Sequence, residues 1–283
     1  MGRLGSMVYQ VEQTLMAQLR IGESKYAAKI REGTNAPEGI FSYGTLETYL
    51  KQGCTFAKWA RAEHGCNTLA KARAFVEPFL QDGIDRGLSA STLKTQRAAL
   101  CKLYKCHAED LNITLPIRHR ADITRSRGVA ARDYGFSLKN NADIIAFAKA
   151  TGLRSHELEK VAPKQIQETD GKLYVLQVKG KNGKIRDIEV LPGHYGDVAK
   201  FAGPGNSRIF PEIPSHMDTH GYRREYAAAF YKLVARPLDS LDKKQKYFCR
   251  NDKRGVVYDR AAMLYVSRQL GHNRISVIAG NYL

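Results

Sequence analysis

The sequence predicts a mostly α-helical fold with a small antiparallel β-sheet (α+β), divided into two domains over residues 1–120 and 121–283. Three observations support this prediction: helical periodicity of apolar residues through the first half, a change to strand-like runs near residue 173, and a basic, breaker-rich stretch between the halves. The chain has 283 residues, of which 43% are hydrophobic and 26% charged. That composition is typical of a globular protein, and the length allows a core in each domain.

The N-terminal half begins with helical patterns. Apolar residues recur at helical spacing over residues 8–31, which predicts one helix, and a breaker-rich turn follows at residues 33–39. Thr45 is the candidate N-cap of the next helix. The first six residues precede a second methionine, Met7, and are interpreted as an added leader outside the fold.

Two further helices are predicted over residues 67–81 and 91–107. The second carries Lys94, Arg97 and Lys102 beside an apolar stripe. Two interpretations of this face stay open. It is either a solvated face opposite a core stripe, which is the usual role of charged helix faces, or a face that contacts DNA. Phosphate contact and base readout would use the same three side chains.

Helical periodicity is lost over residues 111–132, where Arg118 and Arg120 belong to a basic run. The stretch predicts an interdomain linker that lies along a phosphate backbone.

The C-terminal half changes its period. Residues 173–178 and 185–191 have the composition of β-strands, and Asn182-Gly183 between them is a strong signal for a hairpin turn. Helical patterns flank this hairpin, starting near residue 137 and covering residues 219–234 and 259–270.

The net charge is +17, from 45 Lys and Arg against 28 Asp and Glu. The excess is divided between the halves, with +6 over residues 1–120 and +11 over residues 121–283. A charge of this size predicts a polyanionic partner, nucleic acid or an anionic membrane surface, gripped by two basic modules and not by one tail. Solubility alone rarely requires so large an excess of one sign.

The remaining composition limits the location of the protein. No apolar run approaches the roughly 18 residues of a membrane span, and the first twenty residues lack the pattern of a secretory signal. The five cysteines are odd in number and include no C-x-x-C pair, which predicts free thiols in a reducing compartment. We therefore expect a soluble cytoplasmic protein.

Four short segments of the C-terminal half carry residue types suited to phosphate chemistry. Taken singly, each has an ordinary explanation, such as a surface ion pair, a solvated turn lysine or a histidine at a helix end. No metal site is expected, because His156-Glu157 lacks the second histidine of H-E-x-x-H. In chain order the segments are Thr151-Gly152-Leu153-Arg154-Ser155-His156-Glu157-Leu158, the hairpin around Lys181, His220-Gly221-Tyr222-Arg223, and Leu270-Gly271-His272 with Tyr282 ten residues later.

Together and in this order, the segments resemble the tyrosine recombinase (phage integrase) family. That family has an arginine in a T-G-L-R-x-x-E-L segment, a hairpin lysine, an H-x-x-R box, an L-G-H box and a C-terminal tyrosine. The resemblance covers the catalytic half closely and extends loosely to residues 43–107. It implies a helical core-binding domain over residues 1–120, a catalytic domain over residues 121–283, and site-specific DNA recombination without ATP, metal or another cofactor.

The resemblance also implies a role for each matched residue. Arg154 and Arg223 would clamp the non-bridging oxygens of the attacked phosphate, since planar guanidinium groups suit the charge that gathers there. His220 and His272 would add hydrogen bonds, and His220 would help to accept the phenolic proton. Tyr282 would displace the 5′ oxygen and form a 3′-phosphotyrosine link.

Two residues beside these would assist. Lys181, on the hairpin, would protonate the leaving oxygen as general acid. Lys179 is the alternative general acid, because the local sequence permits a shift of two residues. Glu157 would support the arginine without touching the phosphate.

Three features depart from the family pattern. His220 and His272 are separated by 51 residues, which is more than in compact members of the family. The additional residues fall at 236–259. We favour an extra DNA-contacting loop with Lys243, Lys244 and Lys246 over a solvated insertion. The step of ten residues from His272 to Tyr282 exceeds the commoner nine and leaves Tyr258 and Tyr265 as weak rivals. Relatives usually continue with a tail that docks on a neighbouring protomer, so truncation after Leu283 is one interpretation.

The resemblance implies double-stranded DNA as the partner, and symmetric protomers imply inverted half-sites in it. The resemblance implies a homotetramer on DNA and a monomer or weak oligomer without it. Two other functions stay open. One is a type IB topoisomerase, which the L-G-H box disfavours, and the other is a DNA-binding regulator without activity, which the complete set of matched residues disfavours. A DNA partner would associate the protein with the nucleoid.

Overall fold

A computed structural model describes residues 5–119, 122, 137–180, 183–272 and 274–283. The chain forms two compact units, Met1–Ile123 and Thr124–Leu283. Most of the regular structure is helical, and the sheets are small and antiparallel, so the predicted fold class is confirmed. Across these ranges, every helix is too short or too polar to span a bilayer.

The described part of the N-terminal unit is built from six α-helices and two short 3₁₀ turns. The helices are α1 (Met7–Met16), α2 (Lys25–Glu32), α3 (Tyr43–His64), α4 (Leu69–Ala72), α5 (Val76–Asp85) and α6 (Ala90–Tyr104), and the turns are Arg73–Phe75 and Ala108–Asp110. Five of the six helices begin after a serine or threonine whose hydroxyl accepts a backbone N–H, which satisfies one of the unpaired donors of the first turn.

The core of this unit lies between α1, α3, α5 and α6. Val11 and Leu15 of α1 are fully buried against Phe56 of α3 and Leu100 of α6. The rings of Phe56 and Phe79 meet edge to face with centroids 5.3 Å apart. The apolar stripes that predicted these helices therefore face one shared core.

Two details of the N-terminal prediction are wrong. Residues 8–31 are not one helix, because the chain leaves α1 after Met16 and pairs with Ile40, whose backbone exchanges hydrogen bonds with Gln18 and Arg20. Gly22, at φ +91°, turns the chain back before α2. Thr45 is not the cap of α3. Ser42 caps it, and the Thr45 N–H is the donor.

The other N-terminal boundaries shift slightly. Ser6 caps α1, so the last residue of the interpreted leader belongs to the fold. The helix predicted over residues 67–81 is α4, a 3₁₀ turn and the start of α5. The helix predicted to reach residue 107 ends at Tyr104, because Lys105 adopts φ +50°.

The described part of the C-terminal unit mixes helices with two small sheets. The elements are α7 (Ala142–Thr151), α8 (Ser155–Leu158), β1 (Ile166–Thr169), β2 (Lys172–Lys179), β3 (Ile185–Glu189), α9 (Tyr195–Ala199), α10 (Thr219–Val234), β4 (Lys246–Phe248), β5 (Val257–Asp259), α11 (Arg260–Gln269) and α12 (Ile275–Asn281), with 3₁₀ turns at Pro163–Gln165, Leu238–Ser240 and Asn251–Lys253. Strands β1, β2 and β3 form one antiparallel sheet in that order, and β4 pairs with β5 in a second.

The predicted hairpin is confirmed as β2 and β3, which pair Val175 with Ile188. The helices predicted over residues 219–234 and 259–270 are confirmed as α10 and α11. Tyr222, Tyr226 and Phe230 of α10 are fully buried at a spacing of four residues. This places α10 inside the unit.

Candidate active site

The T-G-L-R segment is a sharp turn between α7 and α8. Gly152 ends α7 at φ +61°, the left-handed conformation typical of helix C-termini. Arg154 occupies the N-cap position of α8, and its backbone N–H donates to Glu157 Oε2 at 2.9 Å. The carboxylate of Glu157 therefore returns to the start of its own helix, as in a capping box, and lies beside Arg154.

Glu157 is the carboxylate at the centre of the site. Its side chain is 0% exposed and accepts two parallel hydrogen bonds of 2.9 Å from Arg186. Arg154 Nη1 donates a third, also at 2.9 Å. Burial alone would raise the pKa of Glu157, but hydrogen bonding and charge from Arg186, and then from Arg154, outweigh it and hold the pKa at about 2. Glu157 is therefore ionised at neutral pH.

Arg186 is a site residue that the sequence analysis missed. It lies on β3 with its side chain only 7% exposed, and its Nε donates to the Gln269 carbonyl oxygen at 2.8 Å. The sequence signal that could have identified Arg186 is the alternation of inward and outward side chains along the strand. Arg186 alternates with Ile188 and Val190, which are both buried, so an arginine stood on the inward face of a strand.

Three arginines converge on the C-terminal end of α11. Arg186 binds the Gln269 carbonyl oxygen, Arg154 Nη2 lies 3.4 Å from the Leu270 carbonyl oxygen, and Arg223 Nη2 also donates to Leu270. The last carbonyl groups of a helix lack partners within the helix and form its negative end. They therefore hold the guanidinium groups close together despite their mutual repulsion.

Arg223 is buried beneath the site, with 1% of its surface exposed. Its Nη1 donates to the Gly152 carbonyl oxygen at 2.5 Å, and its Nε donates to the Tyr282 hydroxyl at 3.2 Å. Burial lowers the pKa of Arg223 to about 10, so the group stays charged at neutral pH. A single guanidinium thus joins the T-G-L-R turn, the end of α11 and Tyr282.

Tyr282 directly follows the last residue of α12, and its hydroxyl lies 3.2 Å from His272 Nε2. The Arg223 guanidinium carbon is 5.7 Å from the centroid of the Tyr282 ring. Burial, followed by the charges of Arg223 and Arg154, lowers the pKa of His272 to about 4. His272 is therefore a neutral imidazole at pH 7, with one nitrogen able to accept a proton.

The structure brings four of the six candidate catalytic residues together in this cluster, namely Arg154, Arg223, His272 and Tyr282. His220 is exposed in the first turn of α10, three residues before Arg223. Within the described ranges, no group of three or more His, Cys, Asp or Glu side chains has the geometry to hold a metal ion.

Lys181 lies outside the described residues. Gly180, immediately before it, lies against the ion pair of Glu157: a Cβ added there would be 2.8 Å from Arg186 Nη1 and 3.2 Å from Glu157 Oε1. The hairpin therefore reaches the candidate site at Gly180. Lys179, the alternative general acid, is the exposed last residue of β2.

The predicted DNA contacts of α6 fall in two groups. Lys94 is exposed and Arg97 is half-buried, and both line a cavity of about 520 Å³. Lys102 lines the same cavity, but its Nζ donates to the Pro37 carbonyl oxygen at 2.5 Å. Burial, and then the charge of Lys25, lowers the pKa of Lys102. Lys102 of α6 is therefore hydrogen-bonded to the turn before α3.

The other predicted DNA contacts belong to both units. Arg118, Lys243 and Lys244 are exposed, and Lys246 is half-buried in β4. Arg120 lies outside the described residues.

Gly152→Ala is expected to destabilise the protein more than Gly171→Ala does. Both glycines have positive φ, +61° and +72°, so alanine costs about 1–2 kcal/mol at either position. At Gly152 the added Cβ would also lie 2.6 Å from Tyr226 Cδ1, whereas nothing lies within 4 Å at Gly171. This overpacking adds about 1–3 kcal/mol. Urea unfolding of both variants measures the difference, and equal losses would contradict a tight turn at Gly152.

No protein-family model matches the sequence, and no curated protein matches it. Among the solved structures that share the fold over nearly the whole chain are two complexes of the XerH site-specific recombinase. The XerH site-specific recombinase bound to palindromic difH substrate, a post-cleavage complex, has a TM-score of 0.54 at 16% identity over 97% of this chain and 92% of that chain. Its pre-cleavage complex with difH has a TM-score of 0.50 at 16% identity over 98% and 94%. The fold expected from the resemblance to tyrosine recombinases is confirmed.

Proposed function

We propose that the chain is a site-specific DNA recombinase that cleaves and rejoins DNA through a 3′-phosphotyrosine intermediate on Tyr282. The observation that carries the proposal is the position of the Tyr282 hydroxyl, 3.2 Å from both Arg223 Nε and His272 Nε2. A phenol has a pKa of about 10 in water, so its attack on phosphorus needs help in losing the proton. A buried cation and a neutral imidazole at hydrogen-bond distance supply that help.

The surrounding charge suits a phosphodiester. Arg154, Arg186 and Arg223 bring three positive charges to a site whose central carboxylate, Glu157, supplies one negative charge. The remaining positive charge would bind the non-bridging oxygens, on which negative charge gathers during in-line attack. The Arg154 side chain is 19% exposed, against 7% for Arg186 and 0% for Arg223. We therefore assign the direct grip on the phosphate first to Arg154.

The proposed cleavage step needs no added cofactor, because one phosphoester bond forms as another breaks. The Tyr282 oxygen forms a bond to phosphorus, and the bond from phosphorus to the 5′ oxygen breaks. The phenolic proton passes to His272, whose Nε2 lies 3.2 Å from the Tyr282 hydroxyl. Rejoining reverses these steps when the 5′ hydroxyl of another strand attacks the phosphotyrosine, so the number of phosphoester bonds is conserved and ATP is not required.

The leaving 5′ oxygen needs a proton, and we assign this role to Lys181, with Lys179 as the alternative. Two observations support a lysine of this hairpin. Gly180, between the two lysines, lies so near the Arg186–Glu157 pair that an added Cβ would be 2.8 Å from Arg186 Nη1, and its N–H donates to the Lys184 carbonyl oxygen at 2.7 Å.

The proposed substrate is double-stranded DNA with inverted half-sites, bound by a homotetramer. XerH, whose fold the chain shares, was solved bound to its DNA substrate. Exposed basic residues of both units would supply a salt-sensitive grip on phosphates that is largely independent of sequence. They include Lys94 in the N-terminal unit and Lys243 and Lys244 in the C-terminal unit.

The experiment uses a pool of short duplexes, each nicked near one position and randomised on both sides of it. Cleavage beside the nick releases a short fragment, so a covalent complex accumulates and survives SDS. We expect such an adduct, and mass spectrometry after nuclease and protease digestion should locate the nucleotide on Tyr282. Tyr282→Phe, which keeps the ring, is the blank. Absence of any adduct, or a nucleotide on Tyr258 or Tyr265, would overturn the proposal.

A further inference from the structure

The helix that carries Tyr282 is short and depends on outside contacts. Helix α12 spans Ile275–Asn281, and Tyr282 is its C-cap residue. The Tyr282 and Leu283 N–H groups both donate to the Ile278 carbonyl oxygen, at 3.0 and 3.2 Å. The carbonyl groups of a last turn have no partner within the helix, so this end frays unless another group binds them.

Lys253 binds that end. Its Nζ donates to the Ala279 carbonyl oxygen at 2.8 Å and also to the main-chain oxygen of the final residue, Leu283. The two bonds bracket Tyr282, with one three residues before it and the other directly after it. A lysine at a helix C-terminus both satisfies these carbonyls and opposes the negative end of the helix. One ammonium group therefore closes the turn from which the Tyr282 phenol projects.

The position of Lys253 is itself fixed. The residue ends the 3₁₀ turn Asn251–Lys253, which lies in the loop between β4 and β5. The Cys249 N–H donates to the Val256 carbonyl oxygen at 2.9 Å across this loop. The Lys253 ammonium also lies 6.0 Å from the centroid of the Tyr258 ring.

The base of the same hairpin is tied to α11. Asp259 caps α11 by accepting the Ala261 N–H at 2.9 Å, and it also accepts two hydrogen bonds of 2.8 Å from the Arg236 guanidinium. Residues 236–259 thus connect the start of α11 to the end of α12. Along the chain, Leu270 and His272 of the candidate site lie between these two points.

We propose that Lys253 is a positioning residue for Tyr282, and that residues 236–259 act as a brace which holds the phenol hydroxyl against Arg223 and His272. The part of this proposal that concerns reaction rate rests on the proposed function. The DNA-contacting loop expected for these residues stays a prediction for the exposed Lys243 and Lys244, whereas Lys253 donates to the end of α12.

The test compares Lys253→Met with Lys253→Arg and with a control, Lys232→Met. Methionine keeps much of the side-chain length but removes the charge and the donors, and arginine restores both. Lys232 is an exposed lysine in the last turn of α10, so its replacement changes the net charge by the same amount. Each variant is measured as the full chain.

The first readout is the single-turnover rate of adduct formation at saturating concentrations of the nicked duplex pool. We expect Lys253→Met to slow this rate about tenfold, because a charged hydrogen bond that orders the nucleophile is lost. Lys253→Arg should stay within about threefold of wild type. The dissociation constant for the pool should be the same for Lys253→Met and Lys232→Met. An equal adduct rate in Lys253→Met and wild type, or a loss of affinity that accounts for the whole effect, would overturn the proposal.

The second readout is hydrogen exchange of the Tyr282 and Leu283 amides without DNA. We expect exchange about tenfold faster in Lys253→Met and unchanged in Lys232→Met. If wild type forms no adduct, the proposed function fails, and this readout still decides whether Lys253 braces α12. Unchanged exchange in Lys253→Met would overturn the brace by itself.

Discussion

Arg223→Lys is expected to slow single-turnover adduct formation about a thousandfold. Arg223 donates three separate hydrogen bonds: Nη1 to the Gly152 carbonyl oxygen, Nη2 to the Leu270 carbonyl oxygen, and Nε to the Tyr282 hydroxyl. Lysine keeps the positive charge but offers one nitrogen, which cannot reach three acceptors arranged around a planar guanidinium. The replacement should therefore leave the hydroxyl of Tyr282 without the hydrogen bond from Arg223 Nε at the moment of attack.

The matched control is Arg224→Lys. Arg224 is the next residue of α10 and is exposed, so its replacement tests the same chemical change outside the cluster. DNA affinity should stay within about threefold for both variants, because many basic side chains share the grip on phosphates. An adduct rate for Arg223→Lys within tenfold of Arg224→Lys would show that the fork geometry of Arg223 is not needed, and the assignment of Arg223 would fall.

The parts of the fold that followed from sequence are those with long, regular patterns. Tyr222, Tyr226 and Phe230 repeat every four residues, and α10 has the predicted bounds. Local chemistry also sufficed for the β2–β3 hairpin, since an Asn-Gly pair separates two β-prone runs. Neither inference required knowledge of any distant residue.

The boundaries that failed depend on competition between nearby candidates. Ser42 and Thr45 are both suitable caps, and their hydroxyl oxygens lie 2.8 Å apart. Ser42 caps the helix, and Leu46 is buried in its first turns. The spacing of residues in the sequence alone did not distinguish Ser42 from Thr45 as the cap. Strands β4 and β5 have three residues each, which is too short for alternation to be recognised.

The site was predicted as a set of residues but not as a network. The ordered motifs named Arg154, Arg223, His272 and Tyr282, which the fold places together. They did not reveal Arg186, because its partners, Glu157 and Gln269, stand 29 and 83 residues away. Nothing in the local pattern around β3 points to either partner. An arginine in phase with buried strand residues is a signal for a buried ion pair, and it identifies only one side of the pair.

Glu157→Gln is expected to lower the free energy of unfolding by about 3–5 kcal/mol, the largest stability change that we predict. Glutamine keeps the size of the side chain but removes the charge that balances Arg186 and Arg154. It also turns an NH₂ group toward guanidinium donors, where only acceptors can pair. The Arg186 side chain is 7% exposed, so water cannot replace the lost carboxylate.

Glu159→Gln, two residues further along, is the control. Glu159 makes a surface ion pair with Arg208 at 3.3 Å, with side chains 42% and 54% exposed, so its replacement should cost at most about 1 kcal/mol. Circular dichroism during urea unfolding reports the helices of both units. The fluorescence of Trp59, the only tryptophan, reports unfolding of the N-terminal unit. Equal costs for the two variants would contradict a buried, paired Glu157.

The pH dependence of the Glu157→Gln effect follows from the lowered pKa of Glu157. The folded protein holds the carboxyl pKa of Glu157 at about 2, against an ordinary value of 4.5, so an unfolded chain takes up the proton first as pH falls. The stabilisation by Glu157 is therefore complete above about pH 4.5 and is lost progressively toward pH 2. Glutamine cannot titrate, so the difference in unfolding free energy between wild type and variant should shrink over this interval. A difference in unfolding free energy that stays constant down to pH 2 would contradict a lowered pKa of Glu157. In that case Arg186 and Arg154 would not stabilise its carboxylate, and the convergence of the two arginines on the end of α11 would not depend on Glu157.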